Sequence, residues 1–114
     1  MDIRDVLSRV SFRDDKMAKV NLYETRNFFC DLYCLRPGQQ QKVHSHAEND
    51  KLYYGLRGDA SVTVGEETRP LRQGEIVLAR TGVPHGIAND GEGDVVCLVF
   101  MAPHPDVERF DGLS

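Results

Sequence analysis

The hydrophobic positions follow two periods along the chain. At the start, Ile3, Val6, Leu7 and Val10 are spaced by three, one and three residues. That is one stripe of a helix, so a short N-terminal helix is predicted over residues 2–10. From Met17 the period falls to two. Ala18, Val20 and Leu22 share one parity in residues 17–25. In residues 27–36, Phe28, Cys30, Leu32 and Cys34 oppose Phe29, Asp31, Tyr33 and Leu35. Such alternation marks strands, because successive side chains on a strand point to opposite faces. Further strands are predicted over residues 42–46, 52–56, 60–64, 75–79 and 95–101. Pro37-Gly38, Arg57-Gly58-Asp59, Gly65-Glu66-Glu67, Gln73-Gly74, the loop 80–84 and the NDGEGD run at 89–94 separate them as turns. Turn signals at intervals of about 8–12 residues between short strands predict an all-β sandwich or barrel.

Composition narrows the field. A chain of 114 residues has the length of one domain. It is read as such over 1–114, with a barrel core at about 17–102 and a C-terminal tail at 103–114. It is too short for an eight-unit β/α barrel of ~250 residues. A hydrophobic fraction of 40% with five Phe and four Tyr suffices for a core. Fourteen basic against 18 acidic residues give a net charge of −4, which argues against a general nucleic-acid binder. The longest apolar run covers residues 95–102, far short of the ~20 needed to cross a membrane as a helix. The charged opening MDIRDVLSRV is unlike a secretory signal. Three cysteines, an odd number, are unlike a disulfide framework, and a reduced, cytoplasmic setting is expected. Cys30 and Cys34 read as small packing residues, and Cys97 lies in the apolar last strand.

Candidate chemistry rests on histidines. A histidine alone is ordinarily a surface or core residue. His44 and His46, however, stand two apart in a predicted strand, so both face one side. His85 follows the loop at 80–84. Three neutral imidazoles plus water suit a divalent transition metal such as Zn, Fe, Ni, Mn or Cu. His104, between Pro103 and Pro105, is expected at the surface beyond the barrel.

The glycines frame these histidines in two blocks. Gly38, His44, His46 and Gly58 form the first, and Gly74, Gly82, His85 and Asn89 the second. In both spacing and order the blocks resemble the paired motifs of the cupin family, over about residues 30–102. The resemblance implies a double-stranded β-helix, a flattened antiparallel jelly-roll-like barrel with its site inside the mouth. It also implies a homodimer paired through the outer sheet face and the N-terminal segment. Two positions depart from the motifs. Arg80 replaces a proline in the second. Lys51 occupies the position of the metal-binding glutamate in the first, and a charged lysine repels a dication.

Three arrangements follow. In one, His44, His46 and His85 form a three-histidine centre completed by water or substrate. In another, Asp50 adds a fourth ligand through a one-residue bulge. In the third, the metal site is degenerate and the barrel holds an organic ligand, with Lys51 contacting an anion. If Lys51 faces the cavity, it is placed to meet a carboxylate, phosphate or enolate; the other outcome is a lysine reaching solvent. Tyr53 shares its parity and is the second candidate catalytic group. The resemblance implies a small-molecule ligand and dioxygenase or isomerase/lyase chemistry, with a non-enzymatic sensing or storage module as the alternative.

Overall fold

The computed structural model describes residues 1–110. They form nine β-strands: β1 (Ala18–Thr25), β2 (Phe28–Leu35), β3 (Gln40–His44), β4 (Asp50–Arg57), β5 (Ala60–Val64), β6 (Glu67–Leu71), β7 (Ile76–Ala79), β8 (His85–Ala88) and β9 (Val95–Ala102). All pairings are antiparallel. One sheet has the order β1-β2-β9-β4-β7, and the other β3-β8-β5-β6. The sheets face each other across a core that includes Tyr33, Leu35, Tyr53, Val62, Ile87 and Val99. The all-β architecture expected from the alternation, in the jelly-roll-like form implied by the resemblance, is therefore the one observed.

Parity decides what each strand sends inward. On β4, Lys51, Tyr53 and Gly55 are buried, while Leu52, Tyr54 and Leu56 lie half-buried on the outer face. Across the larger sheet, Phe29 aligns with Met101, which aligns with Lys51. Lys51 is thus set into the inner face by the same register that buries methionine and tyrosine beside it.

Three elements differ from the sequence reading. The N-terminal helix is reduced to one 3-10 turn at Leu7–Arg9, and its N-cap residue Val6 makes no side-chain capping bond. A helix of two or three turns is marginal without tertiary support. Here Val6, Val10 and Phe12 pack on Ala18, Leu22, Leu32, Cys34 and Val96 of the outer sheet face, which satisfies their apolar side chains without a helix. Strand β6 has four exposed residues and a proline in its ETRPL sequence, so it carries no alternation to read. Strand β8 has only four residues, and Gly86 sits where an added Cβ would lie 2.9 Å from the Gln41 carbonyl oxygen.

Candidate metal centre

Three elements bring the histidines together. His44 ends β3, His46 lies two residues beyond it in a loop and not on the strand predicted over 42–46, and His85 opens β8. His44 and His85 are directly paired across the β3–β8 ladder. The loop before His85 turns at Gly82, whose φ of 79° is unfavourable for any residue with a side chain. Its amide donates to the His46 carbonyl at 2.8 Å, which ties the two histidine-bearing loops to each other.

One ligand atom from each of the three imidazoles lies within 4.8 Å of the others. The ring nitrogens are already sorted. His44 Nδ1 bonds the Lys42 carbonyl at 2.8 Å, and His85 Nδ1 bonds the Val83 carbonyl at 3.0 Å. A carbonyl only accepts, so each Nδ1 carries a proton, which leaves Nε2 as the ligand atom of the neutral ring. His85 Nε2 is buried without a hydrogen-bond partner. An unpaired buried acceptor is costly, and a cation is the partner this geometry suits. Burial, together with the neighbouring Lys51 and histidines, holds the His85 imidazole neutral down to about pH 4. His46 is likewise shifted below its ordinary value by burial and by His44. Backbone-oriented, neutral imidazoles are the form that binds metal. The donor set therefore fits a divalent transition ion.

Asp50 takes no part in this cluster. It is exposed, and one carboxylate oxygen accepts from the Thr81 amide at 2.7 Å and the Thr81 hydroxyl at 2.9 Å. No bulge falls between Asp50 and Lys51; both keep regular register with β9. The two residues consequently face opposite ways. Asp50 anchors the loop leading to His85 instead.

Lys51 faces the cavity and is 1% exposed. Its Nζ donates to the Gln41 side-chain oxygen Oε1 at 3.0 Å and the Tyr33 hydroxyl at 3.2 Å. The Tyr53 hydroxyl donates to the same Gln41 oxygen at 3.4 Å. Burial, reinforced by Lys19, draws the Lys51 pKa down to about 7. The phenols of Tyr33 and Tyr53 are driven well above their ordinary range by burial and stay protonated. Lys51, His44, His46, Tyr33 and Gln41 line one cavity of about 190 Å³.

Gln41 and Tyr33 were not singled out by the sequence. Gln41 precedes His44 by three residues, which on a regular strand puts the two on opposite faces. The register shift between them removes that opposition. His104 is not a surface residue: it is 6% exposed, bonds Glu24 Oε2 at 3.0 Å and accepts from the Asp106 amide. Asn89 is also buried. Its side-chain amide donates to the Leu35 and Gly93 carbonyls, so it braces a turn. Burial raises the thiols of Cys30, Cys34 and Cys97, consistent with packing residues.

The Cupin_2 family, described as a cupin domain, matches residues 31–101. An uncharacterized protein of Streptomyces coelicolor is 33% identical over 75% of this chain and 81% of its own length. A Streptomyces cyaneus protein named polyketide synthase CurC is 28% identical over 73% of this chain, but the match spans 56% of that protein. The crystal structure of TT1209 from Thermus thermophilus superposes with a TM-score of 0.90 at 41% identity, over 92% of this chain and 100% of that one.

Proposed function

Since this chain belongs to the cupin family, we propose that it is a metal-dependent enzyme acting on a small carbonyl compound, with chemistry of the isomerase/lyase kind. His44, His46 and His85 hold a divalent transition ion, which when bound polarises a carbonyl oxygen as a Lewis acid. The single observation that carries the reading is Lys51, a buried amine near neutrality in the same cavity as His44 and His46.

A base is most effective when its pKa lies near the working pH. The neutral Lys51 amine removes the proton from the carbon next to the carbonyl, and its electron pair moves onto the carbonyl oxygen. The resulting ammonium returns that proton to a different carbon or to a departing oxygen. Tyr33 and Tyr53, held protonated by burial, donate hydrogen bonds as charge develops. Gln41 aims Lys51 by accepting from it. The name of the Streptomyces cyaneus relative, a polyketide synthase, belongs to carbonyl-rich chemistry and supports this substrate class.

The test is hydrogen exchange in D2O. Metal-loaded protein is mixed with 2-oxo acids or 1,3-dicarbonyl compounds, and loss of α-proton signals is followed by NMR. Catalysed exchange that falls by about 10²-fold or more in Lys51→Met, with metal retained, supports the proposal. Oxygen uptake without exchange assigns the protein to the dioxygenase reading. Tight binding of such compounds with neither outcome assigns it to a binding module. We further propose a homodimer formed through the outer face of the five-stranded sheet.

A further inference from the structure

Strands β1 and β3 are edge strands of different sheets and are not paired to each other. Two cavities meet at the seam between them. The inner one is the 190 Å³ cavity lined by His44, His46 and Lys51. The outer one is a cleft of about 400 Å³ lined by Arg13, Lys16, Met17, Lys19, Gln40 and Gln41. Lys19 and Gln41 line both, so one ligand can extend from the first space into the second.

The charge of this cleft runs against that of the chain. The protein carries a net charge of −4, yet the cleft lining has three cations and no carboxylate. Arg13 is paired with Asp15 at 2.8 Å. Lys16 and Lys19 are exposed. Lys19 Nζ lies 5.5 Å and Lys51 Nζ 5.1 Å from the centroid of the same Tyr33 ring. The Lys19 charge across that ring disfavours a second charge on Lys51, and an anion seated beside Lys19 offsets it. Asp31 is the acid that acts on both, and it already accepts from Asn21 Nδ2 at 2.8 Å. The wall bearing Arg13 is fixed, because Gln39 Nε2 donates to the Arg13 carbonyl at 2.6 Å.

We propose that the cleft between β1 and β3 is an oxyanion subsite. It holds the carboxylate or phosphate of an acidic small-molecule substrate whose reactive end reaches the three histidines. Lys16 and Lys19 meet the anion, and Gln40 and Gln41 line the passage inward. The assignment of a reactive end rests on the function proposed above; the anion subsite does not.

The experiment is an amide NMR titration of the full chain, freed of metal, with inorganic phosphate, succinate and neutral erythritol in parallel. Saturable shifts at Lys16, Lys19, Gln40 and Gln41 with an anion, and none with erythritol, are expected. In the Lys16→Glu/Lys19→Glu double variant the affinity falls at least about tenfold. Both residues are exposed, so the fold is retained, and Lys19→Gln serves as a milder check. Tighter phosphate binding identifies a phosphate ester as substrate, and tighter succinate binding a carboxylic acid. Absence of saturation with both anions, equal affinity in the double variant, or shifts confined to other surfaces overturns the subsite. Because no metal or turnover enters the readout, failure of the catalytic proposal and failure of this one are separate results.

Discussion

A lysine withdrawn from water either finds a counter-charge or gives up its proton. Lys51 follows the second course, with its pKa drawn to about 7 by burial. The consequence for stability has a definite sign. Below about pH 7 both folded and unfolded chains carry the proton, and the folded state bears the full cost of a buried charge. Between 7 and 10.5 only the unfolded chain binds it, so the cost is relieved as pH rises. Lys51→Met is predicted to stabilise the metal-free protein by roughly 1–3 kcal/mol at pH 7, with the gain shrinking toward pH 10.5. Urea melts of both proteins across that range check it, and a pH-independent difference would contradict it. The sequence made this residue legible as a displaced ligand position, and strand parity put Tyr53 beside it. It did not reveal Gln41, because a bulge inverts parity and leaves no mark in residue type. Nor did it place His104, whose burial depends on Glu24, 80 residues away in sequence.

Among the elements, β4 shows how backbone approach is written into sequence. A Cβ on Gly55 would lie 2.3 Å from the Arg72 carbonyl oxygen, and the Gly55 amide donates to the Glu75 carbonyl at 2.9 Å. The obstructing atom is backbone, so no side chain can turn away. Gly55→Ala is therefore predicted to cost roughly 2–4 kcal/mol, measurable as a lower denaturation midpoint; a neutral effect would contradict this register. The segment after β9 is held by different means. Asn49 Nδ2 donates to the Pro103 carbonyl at 2.6 Å, and Glu24 joins both His104 and Arg109. His104 and Arg109 hold the Glu24 carboxyl below its usual range. Pro105, within this segment, also lines the inner cavity. Glu24→Gln is predicted to accelerate amide exchange across residues 103–110 while leaving β2 and β9 protected. The strands were legible wherever one face was buried. The N-terminal helix was not, because the apolar spacing of residues 3–10 serves contact with a sheet, and contact of that kind does not require helical backbone.

For the whole molecule, the unusual surface is the outer face of the five-stranded sheet. The register aligns Leu78, Leu52, Phe100 and Cys30 in one row and Ile76, Tyr54, Leu98 and Leu32 in the next. The N-terminal segment covers the β1–β2 end of this face. At the other end Ile76 is 61% and Leu78 37% exposed. An apolar area of this kind on a sheet edge favours a partner, in keeping with the proposed homodimer. Leu78→Asp is predicted to shift the protein to monomer in sedimentation velocity, with the cavity residues unaffected.

The most direct test of the central claim is metal analysis of tag-free protein after reconstitution, beside His44→Ala, His85→Ala and Asp50→Asn. Asp50→Asn keeps an acceptor for Thr81. About one equivalent of a transition ion per chain, lost in both histidine variants and retained in Asp50→Asn, is the predicted result. No bound ion in the parent protein, or loss in Asp50→Asn equal to that in the histidine variants, would contradict a centre built from His44, His46 and His85.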